Sequence, residues 1–132
     1  YLAAHPDVIR TLKENMTPWH LNCVADAVAS ALAGRESDFE AIRALNRRRR
    51  IAFADALCRL GAKVYPSEAN FLLCDFGRDM RPVIERLRAQ RVLLRPCGMF
   101  PGLTHAHVRL CVRKEAENER LISLLSDEIQ GD

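Results

Sequence analysis

Arg109 is the residue of this sequence whose type and position point most directly to chemistry. It stands in the middle of an alternating run, in which Val108 and Leu110 point one way and Arg109 the other. The planar guanidinium group of arginine suits bidentate capture of a carboxylate or a phosphate. The pattern alone leaves open the alternative of an exposed arginine that pairs with a nearby acid.

Arg95 is the second candidate for anion binding. It follows the short apolar run 92–94 and opens a loop that contains Gly98 and Gly102. If the strands of Arg95 and Arg109 are neighbours, their two guanidinium groups converge on one dianionic ligand. A strand-end arginine that points into water is the alternative.

The other charged and histidine-containing segments point to structure rather than chemistry. The basic run 47–50 lies in a helix, and its four side chains point around the whole circumference, which is typical of a solvated surface and not of a nucleic-acid site. Arg49 alone lies on the apolar stripe, where it has to pair with an acid, snorkel or face another domain. His105 and His107 have no third ligand at metal-binding spacing, so we predict no metal site.

Composition sets the broad class of the protein. The chain has 132 residues, of which 48% are apolar and 28% charged, as in one globular domain. The net charge of +3 is too small to indicate a nucleic-acid partner, and no run of 18 apolar residues indicates a membrane span. We expect a cytoplasmic protein. The five cysteines include no C-x-x-C pair, and we expect most of them to be buried. The first residue is Tyr1 and not Met, which is consistent with a start inside a longer protein.

The apolar periods predict the elements that position the two arginines. Helices are expected over 5–13, 19–33 and 78–90 and from about 114 to the end. A longer helix is expected between a cap at Ser37 or Asp38 and its end at Gly61. Strands are expected over 62–65, 70–76, 92–95 and 106–112. The predicted fold class is α/β with α+β character, a short sheet backed by helices.

Several segments, in order, resemble the C-terminal part of the class I/II aminotransferases, which use pyridoxal phosphate and have the aspartate-aminotransferase type I fold. The segments are TPWHLN at 17–22, PSEANFLL at 66–73, VLLR at 92–95, and VRL at 108–110 with EN at 117–118. The run RPCGMFPGL at 95–103 resembles the branch that contains threonine-phosphate decarboxylase of cobalamin synthesis and histidinol-phosphate aminotransferase. Pro96 departs from the acidic residue common there.

The resemblance implies roles for both arginines and a division of the chain. Arg109 matches the arginine that grips the substrate α-carboxylate, and Arg95 matches one that lies toward the substrate phosphate. Residues 1–34 resemble the helical segment that leaves a large domain, residues 35–61 the connector helix, and residues 62–132 the small substrate-clamping domain.

The resemblance also implies what this chain lacks. The Schiff-base lysine and most of the pyridoxal phosphate site belong to the large domain, upstream of Tyr1, so we assign no catalytic residue and expect no cofactor on this fragment, which is inactive alone. At full length the enzyme is expected to be a homodimer. A second hypothesis is a free-standing anion-binding or adaptor domain that uses Arg95 and Arg109 without catalysis.

Overall fold

The computed structural model describes residues 3–16 and 22–130. The chain divides into two compact units, Tyr1–Phe39 and Glu40–Asp132. Within the described ranges, no helix is both long enough and apolar enough to cross a lipid bilayer.

The first unit contains two short helices, α1 (Pro6–Asn15) and α2 (Cys23–Leu32). Pro6 suits the first turn of α1 because it has no N–H to leave unpaired. Asn22 caps α2, since its side-chain oxygen accepts a hydrogen bond from the backbone N–H of Ala25 at 2.8 Å. Both predicted helices are present, and the part of the second prediction that falls on residues 17–21 lies outside the described residues.

The long predicted helix is α3, which spans Glu36–Arg59. The predicted cap at Ser37 or Asp38 is wrong, because both residues lie inside the first turn. The Asp38 carboxylate accepts a hydrogen bond there from Nε of Arg35 at 2.7 Å. Gly61 follows the helix with a φ of 84°, a conformation that glycine adopts without strain, and so ends it as predicted. The residues that α3 buries all lie in its second half: Arg50, Phe53 and Leu57.

The second unit holds a four-stranded antiparallel sheet with the order β1-β2-β4-β3. The strands are β1 (Lys63–Val64), β2 (Phe71–Asp75), β3 (Arg95–Pro96) and β4 (His107–Cys111). Two further helices accompany them, α4 (Arg81–Ala89) and α5 (Glu115–Gln130). The mixed α/β class with a small sheet backed by helices is therefore confirmed.

One face of the sheet packs against the helices and carries the core. Buried residues alternate along β2 and along β4 from Val108 onward, as in a sheet with one covered face, and His107 is buried on the other face. The fully buried core side chains come from both strands and from the helices: Leu57, Leu72, Cys74, Val83, Leu87, Val108, Leu110 and Leu125. The other face, which we call the second face, carries Phe71, Leu73, Asp75, His107, Arg109 and Cys111.

The expectation that most cysteines are buried is wrong. Three of the five are exposed, because they lie on helix surfaces and on the second face of the sheet: Cys23, Cys58 and Cys111. Cys74 and Cys97 are buried. Burial raises the pKa of the Cys74 thiol to about 12.

The strand predicted over 92–95 is shorter than expected. After α4, Arg91 adopts a φ of 61°, and the N–H of Val92 donates to the carbonyl of Leu87 at 2.9 Å. This backbone bond ties the segment back to the end of the helix, and Leu93 is 80% exposed. Pairing with β4 therefore begins only at Arg95.

Candidate functional site

Arg95 and Arg109 lie opposite each other on adjacent strands. They are Cα partners in the antiparallel pair of β3 and β4, so both side chains leave the sheet on the second face. Both are exposed, and within residues 3–16 and 22–130 neither forms an ion pair with a carboxylate. No carboxylate of the described residues therefore pairs with Arg109, as the alternative of an exposed, acid-paired arginine would require. Like charges directly opposite each other destabilise a sheet, and a bound anion would relieve that repulsion.

A groove of about 520 Å³ runs beside the two arginines. It lies between segment 91–95 and the stretch from β4 into α5, where the β3 side of β4 is unpaired after Arg109. Its lining includes five arginines: Arg91, Arg95, Arg109, Arg113 and Arg120. Leu94, Leu110 and Leu121 also line it. We call this cavity the arginine groove.

Among the described side chains, one acidic residue lines the groove. It is Glu117, which forms an ion pair with Arg113. Its Oε1 accepts hydrogen bonds from Nε and from a terminal nitrogen of Arg113, the latter at 2.9 Å. These bonds hold the pKa of the Glu117 carboxyl below its usual value, so the carboxylate stays ionised and offsets the charge of Arg113. The charges of the other four arginines that line the groove then give it a net positive charge.

Asn118 fixes the end of the strand that carries Arg109. It is 8% exposed, and its amide oxygen accepts a hydrogen bond from the N–H of Arg113 at 2.9 Å while its NH2 group donates to the Arg113 carbonyl at 3.1 Å. The N–H of Val112 in turn donates to the carbonyl of Asn70 at 2.8 Å. Hydrogen bonds on both sides therefore hold the C-terminal end of β4, which fixes the position of Arg109 along the strand.

Arg50 holds the turn that leads into β2, and the prediction that the run 47–50 is solvated is wrong at this residue. Arg50 is 6% exposed. It donates to the carbonyls of Glu68 and Ala69 at 3.1 and 3.2 Å and to the Glu68 carboxylate at 2.7 Å. A signal for its burial was present, since Arg50 lies three residues before Phe53 and seven before Leu57 on the buried stripe.

Arg49 pairs with an acid, as one of its three predicted options required. Its Nε and a terminal nitrogen donate to the two carboxylate oxygens of Glu115 at 3.0 and 2.7 Å. These bonds join α3 to the first turn of α5 and lower the pKa of the Glu115 carboxyl. Arg49 thus helps to position the helix that borders the arginine groove.

Phe71 lies beside Arg109 on the second face. The guanidinium carbon of Arg109 is 4.9 Å from the centroid of the Phe71 ring, which is within the range of a cation–π interaction. Phe71 pairs with Cys111 and Leu73 pairs with Arg109, so the ring reaches Arg109 diagonally across the two strands. The alternation of the sequence indicated the face of Arg109 but not this partner.

His107 is held by the fold on the same face as Arg109. It is 8% exposed, and its Nδ1 accepts a hydrogen bond from the backbone N–H of Thr104 at 3.1 Å. Its ring stacks on Tyr65 with centroids 6.1 Å apart, and Nε2 lies 3.8 Å from the Asp75 carboxylate. In the described part of the chain, no three side chains of His, Cys, Asp or Glu come together as metal ligands.

The chain matches the family described as Aminotransferase class I and II over residues 1–125. It is 34% identical over 122 residues to threonine-phosphate decarboxylase of Salmonella typhimurium, covering 91% of this chain and 33% of that protein. It is 36% identical over 125 residues to histidinol-phosphate aminotransferase of Symbiobacterium thermophilum, covering 95% of this chain and 34% of that one. The crystal structure of L-threonine-O-3-phosphate decarboxylase from Porphyromonas gingivalis superposes with a TM-score of 0.81 at 25% identity, covering 96% of this chain and 40% of that chain.

The protein therefore belongs to the class I and II aminotransferases. Within that class it is similar to threonine-phosphate decarboxylases and histidinol-phosphate aminotransferases, as the sequence motifs predicted. The chain spans about a third of the length of the curated relatives that it matches.

The lining of the arginine groove does not fit the pyridoxal phosphate that this family uses. The cofactor is held through a lysine, and the lysines of this chain are Lys13, Lys63 and Lys114. The lining of the arginine groove contains none of the three, and the Lys63 ammonium lies 5.1 Å from the centroid of the Tyr65 ring. The described geometry therefore singles out none of the three lysines as the one that would hold the cofactor.

Proposed function

We propose that this chain is the C-terminal part of a pyridoxal phosphate enzyme that acts on a phosphorylated amino acid, and that it supplies the arginines which hold the substrate. The observation that carries the proposal is the pair Arg95 and Arg109, opposite each other and without an ion-pair partner among the described residues. The relatives named for phosphorylated substrates support the choice of ligand.

The two arginines have separate tasks in this proposal. With threonine phosphate, Arg109 holds the carboxylate through the bidentate geometry of its guanidinium group, and Arg95 holds the phosphate. Histidinol phosphate has no carboxylate, so only the phosphate contact applies to it. Holding both ends of the substrate fixes the orientation of the bonds around its α-carbon. That orientation helps to determine which bond is broken, because the cofactor supplies the electron sink and the protein supplies the geometry.

The proposal also assigns the parts of the chain. Residues 1–34 leave a large domain that carries the Schiff-base lysine and binds pyridoxal phosphate, residues 35–61 connect the domains, and residues 62–132 form the substrate-clamping domain. The full-length enzyme is a cytoplasmic homodimer in this account, and the present chain alone is inactive. The similarity to proteins three times its length supports this assignment.

Turnover by the full-length protein tests the proposed function. With pyridoxal phosphate added, and a 2-oxo acid present to accept the amino group in a transamination, we expect it to consume threonine phosphate or histidinol phosphate and to be much less active on threonine and histidinol. Release of CO2 from threonine phosphate would indicate decarboxylation, and formation of a keto product would indicate transamination. No turnover of either phosphorylated compound, with the cofactor bound, would overturn the proposal.

A further inference from the structure

We infer that Phe71 is a positioning residue for substrate binding, which keeps the Arg109 guanidinium oriented and its hydrogen-bond donors accessible. The inference rests on the proposed function of Arg109. It begins from the contact between the Phe71 ring and the Arg109 guanidinium carbon, 4.9 Å from the ring centroid.

Other arginines of the second unit are held in a different way. Arg49 is held by Glu115, Arg81 by Asp79 and Arg113 by Glu117, each through charged hydrogen bonds. A carboxylate partner fixes a guanidinium group but occupies the N–H donors that a ligand needs. An aromatic face attracts the same cation through its π-system and leaves the N–H edge available.

The backbone around Phe71 is itself fixed. Its carbonyl accepts a hydrogen bond from the Ser67 hydroxyl at 2.7 Å, and the same hydroxyl accepts one from the N–H of Ala69 at 3.1 Å. Arg50 holds the adjacent carbonyls of Glu68 and Ala69. The backbone that carries the ring is thus held in place, which keeps the ring beside Arg109 and reduces the freedom that the guanidinium loses when an anion binds.

The test compares variants of the full-length enzyme with threonine phosphate as the ligand. Phe71→Leu keeps an apolar side chain but removes the ring face, and we expect KM and the calorimetric Kd to rise about two- to fivefold with a smaller change in kcat. Phe71→Tyr retains the ring and should restore the wild-type KM. Leu73→Met, a volume-conserving change opposite Arg109, is the matched control.

Fluorinated phenylalanine at position 71 separates the electrostatic role from packing. Fluorination weakens the attraction for a cation while the ring keeps nearly the same shape, so KM should rise with the number of fluorine atoms in a protein that folds normally. An unchanged KM across this series would overturn the inference. In an Arg109→Met background the series should have no effect on KM.

The two proposals fail in different ways. If Arg109→Met leaves KM unchanged, the proposed role of Arg109 is wrong. If Arg109→Met raises KM while Phe71→Leu and the fluorinated rings do not, Arg109 binds substrate and only the role of Phe71 is wrong.

Discussion

Arg95 and Arg109 are Cα partners in the pair of strands at the edge of the sheet, and neither forms an ion pair with a carboxylate in the described residues. Two exposed cations in this arrangement repel each other. We propose that this pair is an anion-binding site, which a bound ligand stabilises by relieving the repulsion.

Phosphate should therefore stabilise this fold more than chloride at the same ionic strength. A ligand that binds only the folded state at about ten times its Kd adds about 1.4 kcal/mol to the free energy of unfolding. We expect inorganic phosphate to raise the Tm in this way and Arg95→Met to remove the difference between the two salts. The exposed Arg47, outside the arginine groove, provides a matched control, and an equal loss of the phosphate effect in Arg47→Met would contradict a specific site.

Arg50 should be far more important for stability than its neighbours in the basic run. Arg50→Met leaves the carbonyl of Glu68 without its donor and that of Ala69 with only the 3.4 Å bond from Asn46, and should lower the free energy of unfolding by about 2–4 kcal/mol. Arg50→Lys should recover only part of the loss, because an ammonium group lacks the planar fork. Urea unfolding measures both changes. A loss no larger than that of the exposed Arg48→Met would show that the buried contacts do not stabilise the fold.

Asn118 should be needed to hold the end of β4. Asn118→Ala removes two hydrogen bonds to the backbone of Arg113 and should cost about 1–3 kcal/mol in urea unfolding. Asn118→Asp keeps the acceptor for the Arg113 N–H but loses the donor to its carbonyl, so its stability should lie between those of the wild type and the alanine variant. Equal stability of all three proteins would contradict the role of Asn118 as a clamp.

Asp79 should make stability depend on pH in the acid range. Hydrogen bonds from Arg81 lower the pKa of the Asp79 carboxyl from 3.8 to about 2 in the folded protein. A lowered folded-state pKa contributes stability that is present above the unfolded pKa and is lost as the pH falls through the folded one. Asp79→Asn should thus have a lower Tm than the wild type at about pH 6 and approach it near pH 2. A Tm difference that stays constant over this range would argue against the ionised pair.

The sequence predicted those parts of the site that depend on local periodicity. The alternation around Arg109 placed it on the face opposite Val108 and Leu110, and the structure confirms that arrangement. The predicted strand over 92–95 was too long, because the bond from Val92 to the end of α4 is a backbone feature that apolar residues alone do not indicate.

Contacts between distant residues could not be predicted in the same way. The bonds from Arg50 to the turn at Glu68 and the contact of Phe71 with Arg109 join residues 18 and more positions apart. Their formation depends on the register of β2 against β4 and on side-chain direction. In the sequence, Arg47 and Arg50 differ only in their position relative to the buried stripe of α3.

The affinity of three ligands for the full-length protein and its two arginine variants tests the central claim most directly. The ligands are threonine phosphate, threonine, which has only the carboxylate, and 1-amino-2-propanol phosphate, which has only the phosphate. We predict that Arg109→Met lowers the affinity for the two ligands that have a carboxylate, and that Arg95→Met lowers the affinity for the two that have a phosphate. Each loss should be about tenfold or more, as expected for the loss of a charged hydrogen-bonded pair. Unchanged affinities in both variants would contradict the assignment of this arginine pair as the substrate clamp.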